Sequence, residues 1–310
     1  MKIVNGYKLF EASTKPIVIT IGNFDGVHVG HRSVFKKLTD KAYKINGIPV
    51  VMTFDPHPMA VLAPTKKLEF ISTKESKLRL FEEAGIQITI IEEFTEEFAN
   101  VNAREFFEKI LIEGLNVKEI FIGYDFTFGK NKEGTPDSMK RYGDEFKIPV
   151  TVIPPFKINN EIVSATLVRK ALLSGDLEKS RKLLGYPYEL CGKVVKGAGR
   201  GKGLGYPTAN ICPGNQIIPQ KGIYVTEVVL DGKKLPSVTS IGLRPTFKEE
   251  NPPLVIESLI FNFNKDVYGK VVALRFLKRI RDEERFSSIA ELKRAIAKDV
   301  EIAKTYFSKR

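Results

Sequence analysis

Hydrophobic positions along the first 185 residues follow two spacings in turn. A β-branched run, Ile17 to Ile21, is typical of a buried strand, and residues 31–45 repeat apolar side chains at helical spacing. Similar segments then alternate along the chain. The predicted strands cover residues 48–54, 86–91, 119–123 and 150–153, and the predicted helices cover residues 73–84, 102–114, 136–146 and 167–173. This alternation predicts a doubly wound α/β domain with a parallel, Rossmann-like sheet.

The pattern changes after Gly185-Tyr186-Pro187, where we predict the boundary between a domain of residues 1–185 and one of residues 186–310. Short strands and many glycines follow, without strand–helix alternation. A final helix is predicted to begin after Ser288 and extend to about Phe307. Several short antiparallel strands with one helix predict a small β-barrel.

Helix starts are marked by polar residues at a fixed spacing. A serine or asparagine followed three residues later by glutamate is typical of a helix N-terminus. The pairs are Ser72 with Glu75, Asn102 with Glu105, and Ser288 with Glu291.

A glycine-containing turn joins the strand of residues 17–21 to the helix that follows. His28 and His31 lie three residues apart at the start of this helix, and Gly30 between them adds no side-chain bulk. Free N–H groups and the helix dipole favour anions there, and two imidazoles add further donors. The pattern predicts a nucleotide-phosphate site, although a single histidine at a helix start is more often a cap. The other predicted phosphate-binding residues of this turn are Gly22, Asn23, Phe24 and Asp25.

Two further segments of the first domain carry candidate ligand-binding residues. Phe54 and His57 belong to a proline-stiffened loop at the carboxyl end of a strand, the edge at which open α/β sheets bind ligands. Asp125 lies among aromatic residues after another strand, with Phe126 and Phe128 next to it. The phenylalanines could contact a planar ring or belong to the core, and the residues alone leave these alternatives even.

A third segment places hydroxyls before a helix. Ser164 and Thr166 are candidate phosphate ligands or simple caps, and Arg169 follows one turn later. In the second domain, five glycines among residues 197–206 predict either a flexible loop or a flap around phosphates. The candidate phosphate ligands of that flap are Gly199, Arg200, Gly201 and Lys202.

Pro207-Thr208-Ala209-Asn210 follows this flap directly. Alone, this run is more often a junction between a loop and a strand, and only its pairing with the glycine-rich flap makes it a specific signal. Farther along, strand alternation places Glu257 on the face of Val255 and Leu259. A carboxylate on an apolar face is either ion-paired or functional, and a functional one could act as a general base.

Together these stretches resemble a known family. Gly22 to His28 is similar to the nucleotidyltransferase signature, and at least six stretches, in order along essentially the whole chain, resemble bacterial bifunctional riboflavin kinase/FMN adenylyltransferases (FAD synthetases). The resemblance implies that the second domain phosphorylates riboflavin to FMN with ATP. It implies that the first domain adenylylates FMN to FAD, releasing pyrophosphate.

Individual roles follow from the resemblance alone. It implies that Thr208 and Asn210 bind Mg²⁺ with ATP and that Glu257 is the base of the kinase. His28, His31 and Arg169 would stabilise charge during adenylyl transfer. The segment Arg281-Asp282-Glu283 through Phe286 is also similar to the family, and Arg281 is expected to contact flavin. Ala165 stands where the family usually has a hydroxyl, so one donor is missing from this chain.

Composition adds expectations about partners and compartment. The chain of 310 residues has a net charge of +12, of which residues 186–310 carry +9. The basic residues are scattered, so we expect them to attract ATP and phosphorylated flavins rather than nucleic acid. Two cysteines and the lack of a long apolar run predict a cytoplasmic protein without a membrane partner. We expect a monomer or a weak homo-oligomer.

Three other hypotheses remain at this stage. A nucleotidyltransferase acting on a pantetheine or nicotinamide acceptor would explain the first half alone. A flavin- or RNA-binding regulator without turnover would explain the charge. His28, His31 and His57, the three histidines of the chain, could bind zinc, although no cysteine or spaced carboxylate supports such a site.

Overall fold

The structure is a computed structural model that describes residues 1–11, 13–197, 203, 205–243 and 254–309. The chain divides into two compact units. The first unit consists of Met1–Leu68 and Thr73–Ala165, and the second consists of Glu69–Ser72 and Thr166–Arg310.

A six-stranded parallel sheet forms the centre of the first unit. Its strands are β1 (Lys2–Asn5), β2 (Ile17–Ile21), β3 (Ile48–Phe54), β4 (Ile88–Glu92), β5 (Val117–Gly123) and β6 (Val150–Ile153). Their spatial order is β1-β4-β3-β2-β5-β6. The chain therefore reverses direction across the sheet at β2, all five residues of which are buried. The carboxyl edge beside such a reversal is where open α/β sheets bind ligands.

Helices cover this sheet. They are α1 (Val29–Lys44), α2 (Pro58–Leu62), α3 (Lys74–Glu83), α4 (Glu96–Ala99), α5 (Ala103–Glu105) and α6 (Pro136–Phe146). Helix α5 continues as a π-helix, Phe106–Gly114, which packs Phe106 and Phe107 into the core of this unit. Helix α1 buries Val34, Phe35 and Leu38, the helical spacing expected for an amphipathic helix. A small hairpin consists of β7 (Lys157–Ile158) and β8 (Glu161–Ile162).

The second unit contains a closed antiparallel barrel. Its elements are α7 (Ala165–Leu173), α8 (Leu177–Leu184), β9 (Glu189–Val195), β10 (Ala209–Pro213), β11 (Gly222–Leu230), β12 (Lys233–Leu243), β13 (Leu254–Ile260), β14 (Val271–Arg281) and α9 (Ile289–Ser308). The strands close in the order β10-β13-β12-β11-β14-β9. Closure leaves no unpaired sheet edge. The predicted fold class, a parallel-sheet domain followed by a small β-barrel and a terminal helix, is therefore confirmed.

Residues 69–72 contact the barrel although they lie far from it in sequence. Phe70 N donates to Asn215 O at 2.8 Å, and Ile217 N donates to Phe70 O at 2.9 Å. The side-chain amide of Gln216 donates to Ile71 O at 3.1 Å and to Glu189 O at 3.0 Å. This short segment is thereby fixed to the second unit.

One detail differs from the sequence-based expectations. Helix α3 is capped by Thr73, which accepts a hydrogen bond from Ser76 N at 3.2 Å, so the prediction of a Ser72 cap was wrong by one position. Residues 166–185 group with the second unit, and the boundary of the two catalytic domains after residue 185 stays a prediction. The physical reason for this grouping is that α8 packs against β14 and that Gln220 N donates to Leu172 O at 3.1 Å.

Helix α9 is joined to the barrel by an ion pair. Arg281, at the end of β14, donates to both carboxylate oxygens of Asp299, at 2.9 and 2.7 Å. The Asp299 side chain is 5% exposed. A bidentate pair of this kind fixes orientation as well as distance.

We expect Asp299→Ala to lower the free energy of unfolding by about 2 kcal/mol, because the variant loses a bidentate, charge-assisted hydrogen bond, while the partly exposed Arg281 keeps Glu284 as a neighbour at 3.6 Å. Urea denaturation followed by circular dichroism measures this change. Asp282→Ala is the matched control, since the Asp282 side chain is 76% exposed and pairs with Arg279. An equal loss of stability in both variants would contradict the prediction.

Candidate functional site

The turn after β2 brings His28 and His31 together. The two rings stack with centroids 3.6 Å apart and planes 18° apart. His28 is 6% exposed and is the N-cap of α1, where its Nδ1 accepts from His31 N at 3.3 Å. Because Nδ1 accepts this bond, the neutral ring of His28 carries its proton on Nε2.

The lack of a side chain at Gly30 leaves room for the His28 ring. A Cβ at Gly30 would lie 3.1 Å from Nδ1 and Cε1 of His28, tighter than ordinary contacts. The glycine predicted for phosphate binding therefore has a structural reason in the stacked pair. The backbone of Phe24 adopts the left-handed conformation, with φ of 50°. Its ring contacts the His31 ring edge-on, with centroids 5.2 Å apart, and also lies against Gly22.

Burial determines the charge state of this pair. It lowers the pKa of His28 to about 4. It also lowers the pKa of His31 well below its usual value, with smaller contributions from the charges of His28 and Lys77. Both rings are therefore neutral at pH 7. They can stabilise developing negative charge as hydrogen-bond donors rather than as cations.

Three polar atoms in and beside the turn are buried without a hydrogen-bond partner in the described part of the chain. They are Thr20 Oγ1, Asn23 Oδ1 and His31 Nδ1. Most buried polar atoms in proteins are paired, so three such atoms close together in sequence are unusual. These three atoms could therefore form hydrogen bonds with a ligand. Asp25, the remaining predicted residue of the turn, is buried beside them.

Lys77 is a residue that the sequence analysis missed. Its ammonium, on α3, donates to Asn23 O at 3.3 Å and to Thr53 Oγ1 at 3.1 Å. Helical periodicity alone gives no reason to distinguish it from the other lysines of α3. Its proximity to the turn depends on how α3 packs against residues 25–27.

The predicted flavin-binding residues have different surroundings. Phe54 packs against the rings of Phe94 and Phe98, and Phe126 stacks on Phe128 at 5.5 Å. Phe128 is 7% exposed and belongs to the core. His57 Nδ1 caps α2 by accepting from Met59 N at 3.1 Å, and Asp125 is exposed.

A cavity of about 700 Å³ opens at the carboxyl ends of β1 and β4. Phe98, which contacts Phe54, lines this cavity together with Glu92. Tyr7 N donates to Glu92 Oε2 at 2.6 Å, and burial raises the pKa of the Glu92 carboxyl. The cavity was not predicted, because its lining comes from segments distant in sequence.

Ser164, Thr166 and Arg169 were expected to bind phosphate. Ser164 directly precedes α7, whereas Thr166 lies inside the first turn and is exposed, so it is not the N-cap. Arg169 Nε donates to Glu69 O at 3.4 Å within the second unit. Their phosphate-binding roles stay predictions.

In the barrel, strand register brings Asn210 and Glu257 opposite each other on β10 and β13. Ser240 of β12 faces Glu257 from the other side. Directly opposed residues project to one face with Cβ atoms about 5 Å apart. Asn210 is 9% exposed. Two residues that the sequence placed 47 positions apart are therefore neighbours.

The structure shows which face of β13 carries Glu257. Ile256 and Ser258, on either side of it, are fully buried and fill the barrel interior. Glu257, Val255 and Leu259 share the opposite, half-buried face. The alternation was interpreted correctly, but the face lies outside the barrel core, where a carboxylate can meet a ligand.

Gly197 was missed as a site residue. A Cβ there would lie 2.1 Å from Nδ2 of Asn210, so only glycine lets the backbone approach this amide.

Thr208 precedes β10 by one residue. Arg281 is engaged by Asp299, and its flavin contact stays a prediction. Of the other predicted ligands, Gly199, Arg200, Gly201 and Lys202 lie outside the described residues.

Neither a metal cluster nor a membrane span emerges from the described ranges. No group of three His, Cys, Asp or Glu side chains there could hold a metal ion, so the three-histidine zinc hypothesis finds no support. No helix of that part is both long and apolar enough to cross a bilayer.

Comparisons with known proteins match both halves of the chain. A family model described as FAD synthetase matches residues 10–167, and one described as riboflavin kinase matches residues 184–307. Bifunctional riboflavin kinase/FMN adenylyltransferases from Escherichia coli K12 and Bacillus subtilis 168 are each 36% identical to this chain. The alignments cover 99% of this chain and 98% and 97% of those proteins.

A crystal structure of a protein described as a macrolide-efflux protein from Streptococcus pneumoniae is also similar. It superposes with a TM-score of 0.88 at 32% identity, covering 98% of this chain and 99% of that one. The fold is thus shared over the full length. On the two family models and the full-length relatives, the chain belongs to the bifunctional riboflavin kinase/FMN adenylyltransferase family.

Proposed function

We propose that this chain makes FAD from riboflavin in two ATP-dependent steps, each performed by its own site. The barrel phosphorylates riboflavin to FMN, and the parallel-sheet unit adenylylates FMN. The observation that carries this division is the pairing of residues within each unit: the His28–His31 stack in one and the Asn210–Glu257 pair in the other. We keep residue 185 as the boundary of the two catalytic domains, supported by the kinase match from residue 184.

Adenylyl transfer needs no covalent enzyme intermediate. An oxygen of the FMN phosphate attacks the α-phosphorus of ATP, and the bond to pyrophosphate breaks. Nε2–H of the neutral His28 ring donates to the α-phosphate oxygens as charge moves toward the leaving group. His31 and the backbone N–H groups at the start of α1 complete this donor set.

Phosphoryl transfer in the barrel begins at the terminal ribityl hydroxyl of riboflavin. Glu257 accepts the hydroxyl proton while that oxygen attacks the γ-phosphorus of ATP, and ADP leaves. The half-buried position of Glu257, between Asn210 and Ser240, supports this role.

The residues beside Glu257 fit Mg²⁺. Thr208 offers a hydroxyl oxygen and Asn210 an amide oxygen, and such hard donors suit an ion that shares phosphate oxygens and keeps waters. The backbone of Gly197 lies close against the Asn210 amide. When bound, the ion would neutralise charge on the ATP phosphates.

Location and assembly belong to the same proposal. Neither Cys191 nor Cys212 forms a disulfide in the described part of the chain, which supports a reducing, cytoplasmic compartment. The partners would be ATP and flavins, with the chain acting as a monomer or a weak homo-oligomer. The direct test incubates the protein with riboflavin, ATP and Mg²⁺ and resolves FMN and FAD by chromatography over time. Unchanged riboflavin would overturn the proposal.

We expect His28→Ala to lower the rate of FAD formation from supplied FMN by about a hundredfold, because one preorganised donor to the transition state is lost. FMN formation from riboflavin in the same preparation is the internal control and stays unchanged. If both rates fell equally in a folded variant, the assignment of the two steps to separate sites would be wrong.

Glu257→Gln should show the reverse behaviour. Without a base, FMN formation drops by about a hundredfold, within the range of general-base effects, while FAD formation from supplied FMN continues. Glu301→Gln, which changes an exposed carboxylate on α9, is the matched control. Full kinase activity in the Glu257 variant would remove the role assigned to this residue.

A further inference from the structure

Lys77 brings a positive charge to the histidine turn from helix α3. Asn23 O accepts from Lys77 Nζ at 3.3 Å and from Thr53 Oγ1 at 3.4 Å. Lys77 Nζ also donates to Thr53 Oγ1 at 3.1 Å. The three groups form a closed triangle of hydrogen bonds that joins the turn after β2 to the end of β3.

Charged groups face this triangle from the turn, from the end of β3 and from α3. Lys77 is within electrostatic range of Asp25 in the turn, of Asp55 after β3 and of Lys74 on its own helix. His31 is faced by His28 and by Lys77. Burial lowers the pKa of Lys77, and the two carboxylates counter that shift. The ammonium is therefore held by acceptors and carboxylates of both the turn after β2 and the end of β3.

We propose that Lys77 is a positioning residue for adenylyl transfer: its ammonium fixes the turn after β2 against the end of β3 and so holds the His28–His31 pair in place. The inference rests on the proposed function of this site. Lys77 need not touch the substrate, because it acts through the backbone of Asn23 and through its charge. That charge disfavours a second positive charge on His31, so it favours the neutral ring.

The first test compares Lys77→Met and Lys77→Arg with the wild-type full-length chain. We expect Lys77→Met to lower kcat for FAD formation about tenfold or more, since charge-assisted bonds that orient the turn are lost. KM for ATP should change less than kcat. Lys77→Arg keeps the charge and should recover part of the loss. Lys36→Met, exposed on α1, is the control, and riboflavin phosphorylation reports whether each chain is folded.

The second test follows protonation directly. The chain has three histidines, so imidazole NMR signals can be assigned with single His→Gln variants. In the wild type, His31 should not titrate near its usual pKa of about 6.5. Removing the positive charge in Lys77→Met should raise the pKa of His31 toward that value. A merely structural role would not move this titration.

The outcomes separate the inference from the function on which it rests. Wild-type kcat in Lys77→Met, or wild-type His31 titrating near its usual value, overturns the role of Lys77. If Lys77→Met also loses kinase activity, that variant is not folded. The role of Lys77 is then tested by the His31 titration of the wild-type chain and by the kcat of Lys77→Arg. A wild-type chain that makes FMN but no FAD overturns the function of the site, and the NMR titration still tests the placement of Lys77.

Discussion

The proposed adenylyl-transfer site depends on two imidazole rings that are buried at the end of a strand. Desolvation makes the protonated forms unfavourable, so the stack of His28 and His31 exists as two neutral rings. Two cations at 3.6 Å would repel each other, whereas two neutral rings can stack. The same burial that permits the contact therefore also sets the chemistry of the pair.

The two proposed sites use different physical means to act on a triphosphate. In the parallel-sheet unit, donors converge from a helix start and from neutral rings, at the edge where the strand order reverses. In the barrel, opposed strands place an amide and a carboxylate side by side. In the proposed mechanism, the first arrangement stabilises charge on a phosphate that is attacked by another phosphate. The second prepares a hydroxyl, which must lose a proton as it attacks.

Much of the architecture could be predicted from the sequence because local signals were strong. Ile17–Ile21 and Pro136–Phe146 have the predicted bounds, and Asn102 caps α5 as expected. Thr73 rather than Ser72 caps α3. Two adjacent hydroxyl residues give the same capping signal in the sequence, and only the backbone geometry selects one of them. Periodicity describes which face of a helix is apolar, but it does not tell which polar group will meet another element.

For that reason, the parts of the sites that were not predicted are those that depend on contacts between segments distant in sequence. Lys77 reaches Asn23 across 54 residues, and Gly197 matters only because Asn210 lies against it. Glu257 could be placed on a face, but whether that face pointed inward depended on barrel closure. Phe128 carried an ambiguous signal, and its core position depends on packing against Phe106.

The segment of residues 69–72 has a consequence for how the protein can be divided. Its backbone hydrogen-bonds to Asn215 and Ile217, and it accepts from the buried amide of Gln216. A polypeptide started at residue 186 would lack this strand-like edge and one acceptor for Gln216, and a buried polar group deprived of a partner costs about 1–3 kcal/mol. The kinase half is thus completed by a piece of chain lying more than a hundred residues upstream, and a single proteolytic cut does not yield two intact modules.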